Sequence, residues 1–152
     1  MGTLFPVKHK TDRDDLMIGR NLYGMTNKDP QSIAVLGRSW NNPSKPKLHA
    51  ELFTSEGYDK NQRAYKFTYI GNGKPTPLIF DIEASQGSPV VNLACVIKNW
   101  GDHKALLTVN DQAVKEGKRF RVGYRRGLEG VDLIAWIKIK SLEPIKVSIG
   151  ST

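Results

Sequence analysis

Arginines alternate with apolar residues along Arg119-Phe120-Arg121-Val122-Gly123-Tyr124-Arg125, and a tryptophan shares a phase with two lysines along Trp136-Ile137-Lys138-Ile139-Lys140. In an extended chain successive side chains point to opposite faces. Phe120, Val122 and Tyr124 then turn inward while Arg119, Arg121 and Arg125 form a ladder on the other face. With Leu133, Ala135, Ile137 and Ile139 inward, Trp136, Lys138 and Lys140 point out. Planar guanidinium forks match carboxylate, sulfate and phosphate oxygens, and an indole face stacks on a sugar ring or a base. The chemistry is recognition of an anionic polymer. The competing arrangement buries Trp136 and Ile134 under another layer and pairs the arginines with Glu129 or Asp132, and the residues alone leave both open.

A second constellation lies upstream, in Arg38-Ser39-Trp40-Asn41-Asn42 and in Glu56-Gly57-Tyr58-Asp59-Lys60-Asn61-Gln62-Arg63-Ala64-Tyr65. Both read as polar, aromatic loops. Their Asn, Asp, Gln and Arg side chains offer the donor and acceptor pairs that sugar hydroxyls need, with Trp40 or Tyr58 as a stacking platform beside Arg63. The packing alternative has Trp40 plugging a sandwich and Tyr58 closing a corner. Trp100, at the end of an apolar run, reads as core.

Metal and catalytic chemistry find little support. His9, His49 and His103 are far apart in the chain and no His-x-x-x-His pair occurs. The single cysteine, Cys95, sits inside Val91-Asn92-Leu93-Ala94-Cys95-Val96-Ile97 and reads as a small buried hydrophobe. Asp12-Arg13-Asp14-Asp15 lacks the glycine and distal glutamate of a calcium loop. Gly71-Asn72-Gly73-Lys74-Pro75 is too short, and loses an amide to Pro75, to cradle a phosphate. Asp81 and Glu83 share one strand face as solvent-facing charges, and no Gly-x-Ser-x-Gly elbow occurs. A lyase set could be assembled from Tyr58, His49 and Arg63, but no spacing demands it. The chain reads as non-catalytic, with no cofactor and no metal.

The elements that must position these residues are strands. From residue 47 onward, short β-branched and alternating runs are separated by Gly, Pro, Asn and Asp. Eight strands are expected, at residues 47–53, 63–70, 77–84, 91–98, 105–110, 119–125, 131–140 and 145–149. They fit an all-β antiparallel sandwich of jelly-roll or immunoglobulin type. Leu78, Phe80, Ile82 and Ala84 share an inward face, and the Cys95 run, apolar on both faces, reads as a central strand covered on both sides. Ile70–Pro75 and Val109–Gln112 carry turn residues and read as hairpins. The best helical case has Asp29 as N-cap, Pro30 at its first position and 31–36 following, and a short helix or an extra strand fits this stretch equally well. At 152 residues the chain suits one domain, read as an arm over 1–30 and a sandwich over 31–152. The net charge of +8 is concentrated late, with nine basic and four acidic side chains in residues 113–152. No apolar run is long enough to span a membrane.

The stretch from Ser88-Pro89-Val90-Val91-Asn92 to Asn99-Trp100-Gly101, the Thr108-Val109-Asn110-Asp111-Gln112-Ala113-Val114 hairpin and Gly117-Lys118-Arg119-Phe120-Arg121-Val122-Gly123-Tyr124 resemble carbohydrate-binding or accessory β-sandwich domains of bacterial polysaccharide-degrading enzymes. The resemblance spans about residues 33–150. It implies a secreted module, extracellular or periplasmic, attached to other domains of a larger parent enzyme. Its ligand would be held by Trp40, Tyr58, Arg63, Arg121 and Trp136, with Arg119 and Lys138 at the margins. The positive charge departs from modules that bind neutral glucans and directs the expectation to a sulfated or uronic polysaccharide. The sandwich portion of a lyase or hydrolase is the first alternative, and a nucleic-acid-binding β-barrel ranks third.

Overall fold

The computed structural model describes residues 29–152. All but the end of the expected 1–30 arm, together with His9 and the Asp12–Asp15 cluster, lies outside them. The order is α1 (Pro30–Asn41), β1 (Pro46–Leu48), β2 (Phe53–Asp59), β3 (Ala64–Tyr69), β4 (Leu78–Ile82), β5 (Val90–Lys98), β6 (Ala105–Val109), β7 (Gln112–Val114), β8 (Phe120–Gly127), β9 (Gly130–Ser141) and β10 (Ile145–Ser151). Two five-stranded sheets form the sandwich, one in the order β1-β4-β10-β6-β7 and the other β2-β3-β5-β9-β8. Every pairing is antiparallel except β3 with β5, between which the chain visits the other sheet as β4.

The sandwich agrees with the strand pattern, and the differences have local causes. The run expected as one strand over 47–53 is divided between the sheets. β1 ends at Leu48, the His49 N–H donates to the Ile79 carbonyl at 2.8 Å, and the chain crosses over before β2 begins at Phe53. Residues 70–75 likewise cross from β3 to β4 rather than closing a hairpin. Val109–Gln112 does close one, with Asn110 and Asp111 at φ 48° and 64°, the left-handed pair a two-residue turn requires.

Between the sheets lie Phe67, Phe80, Leu78, Ile82, Leu93, Ile97, Leu133, Val147 and Ile149, all buried, with the Phe67 and Phe80 ring centroids 4.7 Å apart. Trp100 is fully buried, and its indole N–H donates to the His103 carbonyl at 2.8 Å. Cys95 is buried on the inner face of the central strand β5.

Helix α1 packs against β5. Ile33 and Val96 are both buried yet belong to no part of the inter-sheet core, as expected if the helix covers the outer side of β5. Asp29 caps it by accepting from the Ser32 N–H and hydroxyl, each at 2.9 Å, and these bonds hold its carboxyl below the usual range. The helix ends at Asn41, just ahead of Pro43, and so runs past the expected Leu36 and takes up Arg38 and Trp40.

Candidate functional site

The β8–β9 hairpin builds the outer face of one sheet. Its register sets Phe120 against Ile137, Arg121 against Trp136, Gly123 against Ile134 and Arg125 against Asp132. Phe120, Leu133, Ala135 and Ile137 are buried in the core, which turns Arg121, Trp136 and Lys138 outward. The Arg121 guanidinium carbon stands 5.1 Å from the Trp136 ring centroid, within cation–π range. Trp136 is half-buried, neither a bare platform nor core. Arg119, Arg121, Lys138 and Lys140 are exposed, and none forms an ion pair among the described residues. Arg125 is different. It pairs with Asp132 at 3.0 Å, the partner foreseen in the competing arrangement of the ladder.

Charge on this outer face is therefore uneven across the sheet. At its β2–β3 side, Glu56 accepts from the Thr68 hydroxyl at 2.8 Å and pairs with Lys98 at 3.5 Å and Lys66 at 3.9 Å. Lys66 also reaches Asp59 at 3.7 Å. The Thr68 hydrogen bond, then Lys98 and Lys66, hold the Glu56 carboxyl below its ordinary range. The cations there are compensated, whereas those beside Trp136 are not.

The upstream residues gather at the other end of the same sheet, on structure rather than on loops. Trp40 occupies the last turn of α1, Tyr58 lies in β2 and Arg63 closes the β2–β3 turn at φ 53°. Asp59 holds that turn, accepting from the Asn61 N–H at 2.8 Å and the Gln62 N–H at 3.2 Å. The Arg63 guanidinium carbon stands 3.8 Å from the Trp40 ring centroid. Tyr58 meets Tyr65 edge to face at 5.0 Å, and burial pushes its phenol up to about 12 against the opposing pull of Arg63. Trp40 does not plug the sandwich; it lies half-buried over its outer side.

Ala94 links the two groups. It is the register partner of Trp136 and lines the narrow gap beside Trp40, Asn92 and Tyr65. A second, open groove of about 640 Å³ adjoins the hairpin where Lys115, Lys118 and Arg119 face Gln112 and Ile139. Lys115 and Lys118 were not among the residues singled out by alternation. Their signal is the basic run around Gly117, which alternation over strands passes by.

The assembled lyase set is not supported by these placements. His49 Nε2 lies 2.7 Å from Asp81 on the opposite sheet, and Tyr58 stays a neutral phenol packed on Tyr65. No group of His, Cys, Asp and Glu able to hold a metal occurs among the described residues. No described helix is long and apolar enough to cross a membrane. The chain matches no family model, no curated protein and no solved structure.

Proposed function

We propose that the β8–β9 face is a non-catalytic binding site for an anionic polysaccharide, sulfated or uronic. The observation that carries this reading is the exposed Arg121 held over Trp136 among cations without acidic partners. Arg125 and Arg126 each direct a guanidinium nitrogen to a carboxylate, whereas Arg119, Arg121, Lys138 and Lys140 pair with no carboxylate among the described residues. The indole supplies an apolar surface against which a sugar face loses water. Arg121 and Trp136 stand side by side on β8 and β9, and the Arg63–Trp40 pair lies beyond Ala94, where α1 packs over the outer side of β5.

Affinity electrophoresis in gels containing heparin, polygalacturonate or a neutral β-glucan tests it. Retardation by the two acidic polymers and not by the glucan is expected, and its loss in Arg121→Ala ties the effect to this face. Equal retardation by the neutral glucan, or tighter binding of single-stranded DNA at matched salt, overturns the reading. New reducing ends or unsaturated products on incubation would assign the chain to the enzyme class instead.

A further inference from the structure

Beyond Phe120, strand β8 has a backbone edge that no described residue pairs. It is hydrogen-bonded to β9 alone. Two bonds fix which of its groups face outward. The Arg119 carbonyl accepts from the Lys138 N–H at 2.8 Å, toward β9, while the Phe120 carbonyl accepts from the Gly117 N–H at 2.8 Å, off the ladder. Residues of an antiparallel pair alternate in this respect. Arg121, Gly123 and Arg125 therefore direct their backbone groups to β9, and Val122 and Tyr124 direct theirs to the open side.

The other sheet edges offer less. β1 and β7 have three residues each, and a bulge between Ser55 and Gly57 interrupts β2. β8 has eight residues in unbroken register. A regular edge of that length is a template for another strand.

The side chains of β8 define which strand fits. On the inner face, half-buried Val122 packs on the core rim, and Tyr124, 37% exposed, donates its hydroxyl to the His103 carbonyl at 2.9 Å. On the outer face stand Arg121 and Arg125, with only Gly123 between them; Arg125 gives one nitrogen to Asp132 at 3.0 Å and keeps its other N–H donors. A second copy of β8 centred on Gly123 would set Arg121 beside Arg125, which is repulsive across strands. An acidic partner satisfies the outer face, and an apolar one continues the inner face.

We propose that the β8 edge binds an extended acidic peptide by strand addition, in the pattern acidic, apolar, any, apolar, acidic. The acidic residues lie beside Arg125 and Arg121, and the apolar ones beside Tyr124 and Val122. The antiparallel direction gives the better bonds. It also carries the peptide's carboxyl end toward the groove whose charged lining is Lys115, Lys118 and Arg119 against the single acid Glu116. This inference shares Arg121 with the polysaccharide reading, but it is carried by the backbone groups of the edge, which that reading does not use.

The test is an NMR titration of the full chain with a peptide carrying Asp-Val-Thr-Val-Glu between Gly-Ser flanks. In the free chain the Val122 and Tyr124 amides should exchange fast with solvent while that of Gly123 is protected. Peptide should protect Val122 and Tyr124, and a peptide with Lys at both acidic positions should bind at least about tenfold more weakly. Val122→Pro removes an outward N–H and leaves the β9 ladder bonds in place, so it should abolish peptide binding while heparin retardation persists. Three results overturn the proposal: no protection of these two amides, equal binding of the lysine peptide, or the same protection appearing with protein concentration alone. The titration stands on the unmodified chain even if the proline variant fails to fold. Absence of heparin retardation in the unmodified chain would overturn only the polysaccharide reading.

Discussion

A guanidinium lying over an indole at an exposed site gains about 0.5–1 kcal/mol, less than a charge-assisted bond to an oxyanion, at about 1.5–3 kcal/mol. Arg121 is thus held in place by Trp136 without being committed to it. Arg121→Ala should lower polyanion affinity by a factor of about 10 to 150, with the melting temperature nearly unchanged, as titration calorimetry and thermal melts would show. Trp136→Ala belongs between the two extremes set by exposure and burial. Because the indole is half-buried, we expect a stability loss of about 1–2 kcal/mol in urea titration together with weaker binding. A loss above about 3 kcal/mol would mean that the ring is core. Cys95 gives a separate residue-scale prediction. Burial pushes its thiol up to about 12, so a thiol reagent at neutral pH should label the chain only as fast as it unfolds, and rapid labelling under native conditions would contradict the packing.

Helix α1 is the element on which the outer face of β5 depends. Asp29→Ala is expected to fray the helix and raise amide exchange in its first turn while the strands keep their protection. Uniform loss of protection would show the helix and sandwich unfolding as one unit. The same element shows what was legible in sequence. Asp29 followed by Pro30 suits a helix start, but the short run after it suits an extra strand equally well and no residue before Pro43 states an end, so Arg38 and Trp40 read as loop. The outward phase of Arg121, Trp136 and Lys138 was legible because period-two alternation survives along β8 and β9. β2 was not, because Glu56-Gly57-Tyr58 carries a bulge that breaks the alternation, and β7 has only three residues. The sheet crossing at His49–Leu52 is hidden because Leu52 continues the alternation of Leu48 and Ala50, although Leu52 is exposed and the inward position is Phe53. The meeting of Arg63 with Trp40 depends on tertiary placement of a helix and a turn, which spacing does not encode.

At the scale of the whole molecule, a net charge of +8 draws any polyanion, so affinity alone does not identify the site. Salt dependence does. A polymer that gives up counterions to a cationic site loses affinity in proportion to the number of contacts, with a slope of about 0.7–0.9 in log K against log salt per contact for nucleic-acid polyanions. Arg119, Arg121, Lys138 and Lys140 are the exposed cations beside Trp136 without carboxylate partners among the described residues. If all four engage, the slope for a heparin-like polymer should be about −3 to −4, and Arg121→Ala should reduce its magnitude by about one. Lys66→Ala is the control, because Lys66 already faces Glu56 and Asp59, and its loss should leave the slope as it was. Diffuse attraction to the whole surface gives the opposite pattern, in which Arg121→Ala and Lys66→Ala reduce the slope alike. Isothermal titration at four or five salt concentrations separates the two, and matching slopes in the two variants would remove the β8–β9 face as the site.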